Sequence, residues 1–154
     1  MRFHILPALA LWLAACGGPS PPKLQQLMIW APGLEVTIDD QGKGRFIKKS
    51  TGEKGRFLLT AKQFYELVVR MEVFRRAPDA VSGKDIAAYL ASGDQCRDSY
   101  VTDSGGISFQ WIGPSVNNFY SVDYGCDLER YVSRNKELQA ILKSLPVPEP
   151  DGLP

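Results

Sequence analysis

Leu34-Glu35-Val36-Thr37-Ile38, followed by Asp39-Asp40-Gln41-Gly42 and then Lys43-Gly44-Arg45-Phe46-Ile47-Lys48, decides the fold. Leu34, Val36 and Ile38 alternate with Glu35 and Thr37, the period of a strand with one buried face. Asp39 to Gly42 has turn chemistry, and Arg45 to Lys48 returns as a second strand. Arg56 to Leu59 reads as a third. The period then lengthens. Thr60-Ala61-Lys62-Gln63 has capping-box spacing: the Thr60 hydroxyl can take the Gln63 amide, and the glutamine side chain can reach back. Phe64, Leu67, Val68 and Met71 recur at helical spacing, which predicts a helix from Ala61 to about Phe74. Arg75 and Arg76 suit its negative end.

The second half runs the same way. Ser82 is expected to cap a short helix over Asp85 to Leu90, ending near Gly93. Tyr100 to Thr102 reads as a strand leading into the turn Asp103-Ser104-Gly105-Gly106. Ile107, Phe109 and Trp111 alternate with Ser108 and Gln110. Gly113 and Pro114 break the run, and Tyr120, Val122 and Tyr124 alternate again. Leu128, Tyr131, Val132, Leu138, Ile141, Leu142 and Leu145 mark a helical apolar face. Asn135 interrupts it, which predicts a helix that starts in two pieces. Strands feeding a helix, twice, predict an α+β domain: an antiparallel β-sheet with helices packed on one face. Two strand-strand-strand-helix units would fit, although no residue-level repeat is present. The domain spans residues 24–145. Pro146, Pro148, Pro150 and Pro154 make residues 146–154 a proline-rich tail, read as loose.

Met1 to Leu13 carries one basic residue, Arg2, then an apolar run that ends in small residues and Cys16. This is the plan of a secretory signal. Leu13-Ala14-Ala15-Cys16 resembles the lipobox of bacterial lipoproteins. The resemblance implies a signal peptide over residues 1–15, a cut before Cys16, and lipidation of Cys16 by a thioether-linked diacylglycerol and an amino-linked acyl chain such as palmitate. The apolar run is shorter than the roughly 20 residues a spanning helix needs. Residues 16–23 would form the lipidated tether. Gly17 to Pro22, extended at about 3.1 Å per residue, reach roughly 19 Å. Glycine rather than aspartate after the cysteine resembles the enterobacterial sorting signal for the outer membrane. The expected address is therefore membrane-anchored at the periplasmic face, in the outer membrane of a Gram-negative bacterium. The second half also resembles small uncharacterised bacterial lipoproteins through Tyr100 to Asp103, Tyr120 to Cys126 and the final helix ending Leu145-Pro146. That resemblance covers under half the chain and carries no site.

Removing the first 15 of 154 residues leaves 139, one domain's length. Arg2 goes with them, so 17 basic residues face 17 acidic ones. No global field then favours nucleic acid. His4, the only histidine, is also lost. That excludes histidine-ligated metal and every triad that uses imidazole as base. No metal or cofactor is expected. With Cys16 assigned to lipid, Cys96 and Cys126 most simply pair in an oxidising compartment, the alternative being two buried thiols. A bridge closing this loop contributes roughly 3 to 4 kcal/mol on the chain-entropy account.

Four features invite a functional reading. Asp103-Ser104-Gly105-Gly106 resembles the nucleophile loop of trypsin-like proteases, but Ser104 lacks a histidine to activate it, and a turn explains all four residues. Asp39 to Gly44 does not make a calcium loop, since Thr37 and Lys48 would fall at the first and last ligand positions. Lys43, Arg45, Lys48, Lys49, Lys54 and Arg56 are opposed only by Glu53 over fourteen residues. They suit anionic headgroups, cell-wall polymer or an acidic envelope protein; equally, they suit a hairpin whose lysines discourage edge-to-edge pairing. Phe109, Trp111, Phe119, Tyr120 and Tyr124 could stack on a ligand or simply fill the core. The sequence thus reads as a lipid-anchored envelope protein, a non-catalytic binding or structural module and not an enzyme. The alternative is an inhibitor of a secreted or host hydrolase, a lysozyme or protease, with Asp103 to Ile107 or Lys43 to Lys49 as the plug. A histidine-free enzyme ranks third.

Overall fold

A computed structural model describes residues 22–92 and 96–152. Four strands come first: β1 (Gln26–Ala31), β2 (Leu34–Asp39), β3 (Lys43–Lys48) and β4 (Glu53–Leu58). Helix α1 (Ala61–Arg75) follows, then the two-residue strand β5 (Val81–Ser82), a single 3-10 turn at Gly83–Asp85, and α2 (Ile86–Ser92). Strands β6 (Gly106–Gly113) and β7 (Val116–Asp123) and helix α3 (Leu128–Lys143) complete the chain. All pairings are antiparallel, in the order β4-β3-β2-β1-β6-β7-β5. The α+β class and the antiparallel sheet are as read from the sequence. Each half does run strands into a helix, but the first supplies four strands and the second two long ones and one of two residues.

β1 has no counterpart in the sequence reading. It sits at the centre of the sheet, between β2 and β6. Five of its six residues, Leu27 to Ala31, are apolar, so no alternation marks it. The physical reason is that both its faces are partly covered. Leu27 and Ile29 enter the main core, while Trp30 packs against Phe119 on the other side at 6.4 Å between ring centres.

The main core lies on one face. Leu34, Val36 and Ile38, then Ile107, Phe109, Trp111, Tyr120 and Val122, meet Leu67, Val68, Met71 and Phe74 of α1 and Leu138, Ile141 and Leu142 of α3. The two long helices share this face, as expected. Phe74 packs on Tyr120 at 5.6 Å, whereas Tyr89 of the short α2 packs on Phe119, the neighbouring residue that points the other way, at 5.9 Å. The clustered aromatics Phe109, Trp111, Phe119, Tyr120 and Tyr124 are all buried.

The predicted capping box is present. Gln63 N donates to Thr60 Oγ1 at 3.2 Å, and Thr60 N donates to Gln63 Oε1 at 2.9 Å. At the other end Arg75 donates to Glu72 and to Asn118 Oδ1, tying α1 to β7. Ser82 stands at the N-cap of the 3-10 turn that leads into α2, but its side chain makes no capping bond; its hydroxyl donates to Asp85 Oδ2 at 2.9 Å. Tyr100 forms an isolated bridge to Cys126 in place of a strand. α3 does begin in two pieces, but the break is at Tyr131 (φ −109°, ψ 15°), four residues before the buried Asn135. Cys96 and Cys126 are disulfide-bonded, with Cα atoms 5.0 Å apart.

The tail is a correction. Residues 146–152 are tied down. Lys48 Nζ donates to the Glu149 carbonyl and pairs with Asp151, each at 2.5 Å. Ser50 Oγ donates to Asp151 Oδ1 at 3.0 Å, and Asp151 N donates to Pro32 O at 2.8 Å. Gly33 (φ +65°) lies so close that a Cβ there would overlap the Asp151 carboxylate. Proline bars a helix, but an extended segment can still dock.

β3 and β4 carry a second local device. Phe46 lies over Gly55 and Phe57 over Gly44, each glycine directly opposite the aromatic on the partner strand. A Cβ on Gly55 would sit 2.3 Å from Phe46 Cε1. Gly55→Ala is therefore expected to destabilise the domain by about 1–3 kcal/mol through overpacking. Urea unfolding reads this directly, and an unchanged midpoint would contradict the packing.

Candidate interaction surface

Strand alternation sorts the basic stretch into two groups. On β3, Gly44, Phe46 and Lys48 point to the core side, and Lys43, Arg45 and Ile47 point away. On β4, Lys54, Arg56 and Leu58 share that outward face. Lys48 is thus removed from the surface, with only 7% of it exposed, and serves the tail. Lys49 pairs with Glu35 at 2.6 Å. Lys43, Arg45, Lys54 and Arg56 remain together. The register sets Arg45 directly opposite Arg56, Lys54 opposite Ile47, and Lys43 opposite Leu58.

Little on the face offsets these charges. Lys43 Nζ donates to the neutral Gln41 Oε1 at 2.6 Å. Arg45, Lys54 and Arg56 make no ion pair among the described residues. Asp39, two strands from the edge, spends Oδ1 on the backbone N–H groups of Gln41 and Lys43, both at 2.9 Å. That carboxylate closes the β2–β3 turn, where Gly42 takes φ +76°, so the Asp39–Gly44 segment is a turn as read. A shallow hollow of about 450 Å³ runs between Gln26, Thr37, Asp39, Lys43, Arg45 and Arg56, so the Asp39 carboxylate offsets one of the four cations.

A second concavity, of about 410 Å³, opens at the far edge, beside Ser121–Asp123 of β7. Asp79, Tyr89, Arg97, Tyr131 and Arg134 line it, drawn from separate segments that sequence periodicity cannot bring together. Arg134 lies 3.8 Å over the Tyr131 ring and donates from Nε to Asn135 Oδ1 at 3.0 Å. Burial pushes the nearby Tyr120 phenol up to about 12; the charge of Asp79 adds to this and that of Arg134 opposes it. Here arginines and aspartates face each other, so the cleft is largely self-compensated. The sheet face is not.

Below this cleft a staple holds residues 96–101. The disulfide fixes Cys96 to Cys126, and Val101 N donates to Gly125 O at 3.0 Å. Asp127, buried and left-handed (φ +46°), accepts N–H bonds from Arg97, Asp98 and Ser99 at 3.2, 2.8 and 2.9 Å. Nothing in residue spacing announced Asp127. Ser104 donates to Val101 O at 3.2 Å within a turn whose Asp103 and Gly105 both have positive φ, which is the turn reading of that motif.

Cys16 lies outside the described residues. Among the described residues no cluster of three or more His, Cys, Asp or Glu side chains could hold a metal, and no helix is long and apolar enough to cross a membrane. No family model matches the chain, and no curated protein or solved structure is detectably similar to it.

The Asp127 carboxyl is held below the usual aspartate range, first by the Ser99 N–H, then by those of Asp98 and Arg97. A depressed folded pKa stabilises the protein above the unfolded value, near pH 4, and that contribution is lost as pH falls through the folded value. Asp127→Asn should accordingly unfold at lower urea than the wild type at pH 7, and the gap should close toward pH 2. An equal gap at both pH values would show that the charge plays no part.

Proposed function

We propose that this chain is a lipid-anchored envelope protein, held by Cys16 at the periplasmic face of a bacterial membrane, and that it acts as a non-catalytic module binding an anionic partner through the outward face of β3 and β4. The observation that carries the reading is the position of Lys43 and Arg45. Cations that merely discourage sheet-to-sheet aggregation belong on an edge strand. β4 is such an edge, which accounts for Lys54 and Arg56. β3 is paired on both sides, so edge protection does not explain Lys43 and Arg45.

The register adds weight. Like charges directly opposite one another destabilise an antiparallel pair. Arg45 and Arg56 stand in that relation without an ion-pair partner among the described residues. A stable domain gains nothing from this arrangement, whereas an anion placed between the two guanidinium groups would be held by both. Arg45→Gln is expected to leave the unfolding midpoint unchanged or raise it slightly, by a few tenths of a kcal/mol, as the repulsion is relieved. A clear loss of stability would assign Arg45 a structural role instead.

The anchor has its own test. Cys16→Ser should shift the protein from the detergent phase to the aqueous phase, and intact mass of the wild type from its natural host should show the acyl chains. An unchanged detergent partition would remove the anchor from the proposal.

A further inference from the structure

We infer that the partner of this face is the anionic surface of the bilayer itself, on which Lys43, Arg45, Lys54 and Arg56 lie with Ile47 and Leu58 between them. The inference rests on the anchored-module reading above and names what the face binds.

Three observations lead there. The first is the mixture of side chains. Leu58 is 67% exposed and Ile47 37%, and each stands directly opposite a lysine on the neighbouring strand. Along the pair of strands the rows read Leu58–Lys43, Arg56–Arg45 and Lys54–Ile47. Cations that meet phosphate while aliphatic neighbours reach past them toward the acyl boundary are the chemistry of an interfacial surface. A soluble acidic polymer would use the four cations and leave both aliphatics in water.

The second is shape. The six side chains project from two adjacent strands about 4.8 Å apart, with about 6.8 Å between successive rows on one face. The hollow beside them is shallow and lined mainly by polar and basic side chains. It is a surface for a plane rather than a slot for an inserted side chain.

The third is where the chain comes from. Gln25 and Gln26, at the start of β1, border the same hollow as Lys43, Arg45 and Arg56. Nine peptide steps separate Gln25 from Cys16, at most about 32 Å of extended chain. A lipid on Cys16 therefore keeps this end of the sheet near the headgroups. That reach is comparable to the diameter of the domain, so the tether permits many orientations and does not choose among them. The choice falls to the field of the anionic surface, which acts over roughly 8–10 Å and favours the cationic face. Glu35 and Asp39 are the carboxylates on the same face of β2. Glu35 is paired with Lys49; Asp39, bonded to the turn backbone, keeps its charge and offsets one of the four cations, which leaves the face cationic.

The test uses the full chain carrying Cys16→Ser, with the Cys96–Cys126 bond intact, so that no acyl chain contributes. It is co-floated with vesicles of phosphatidylcholine alone and with vesicles of equal parts phosphatidylcholine and phosphatidylglycerol. We expect partition onto the mixed vesicles only, lost at high salt. Arg45→Gln and Arg56→Gln should each weaken it about fivefold. Leu58→Ser should weaken it further, and Lys62→Gln, on α1, should leave it unchanged. Unchanged unfolding midpoints show that the variants fold. Equal binding to both vesicle types, no binding to either, or a Lys62→Gln loss matching that of Arg45→Gln would overturn the inference. So would soluble polyglutamate that binds as tightly as the mixed vesicles, since the partner would then be an acidic chain. Detergent partition of the chain with Cys16 intact reports on the anchor separately. Vesicle binding without that partition sinks the anchor alone, and partition without vesicle binding sinks the docking face alone.

Discussion

Everything in the sheet hangs on β1. It is the strand that joins the four-strand N-terminal meander to the β6–β7 hairpin. Its pairing with β6 closes a loop that contains α1 and α2, a long-range contact with a corresponding entropy cost. The compensation is burial. Leu27 and Ile29 are wholly inaccessible, and each such side chain contributes about 1.5–3 kcal/mol relative to exposure. The same register fixes which side of every other strand meets α1 and α3. Once Leu27 and Ile29 face the helices, Val36, Phe46 and Gly55 must do so too, and Arg45 and Arg56 must face away.

Local pattern was enough for much of this. The β2–β3 hairpin, α1 with its capping box, β6, β7 and α3 all follow from periods of two or 3.6 with recognisable punctuation. The disulfide follows from cysteine arithmetic. β1 was hidden because a strand apolar on both its faces shows no alternation, and β5 because two residues carry no period. The break in α3 fell at Tyr131 rather than Asn135. Asn135 can stay helical because its Oδ1 accepts from Arg134 Nε. Tyr131 is instead engaged by Arg130 and Arg134 through its ring.

The candidate surface was half legible. Its composition was plain in the run from Lys43 to Arg56, but composition alone could not divide the six cations. The parity of Lys48 on β3 sends it to the core side. Its partners, Glu149 and Asp151, lie about a hundred residues away in sequence and cannot be anticipated from spacing. Asp127 is similar: its role depends on three N–H groups that the Cys96–Cys126 bond brings within reach. Long-range polar partners are set by the fold, so they become readable only after it.

The β3–β4 pair has opposite tendencies on its two faces. Inside, Phe46 over Gly55 and Phe57 over Gly44 hold the strands together with no long helix required above them. Outside, Arg45 against Arg56 pushes them apart by a few tenths to about 1 kcal/mol. An anion that neutralises the outer face removes the repulsion without touching the aromatic contacts. Binding and strand pairing then favour each other, because a ligand that binds only the paired form stabilises that form. An edge strand kept in place from beneath can carry uncompensated charge above, and this arrangement lets a small domain keep a charged docking face without a dedicated pocket.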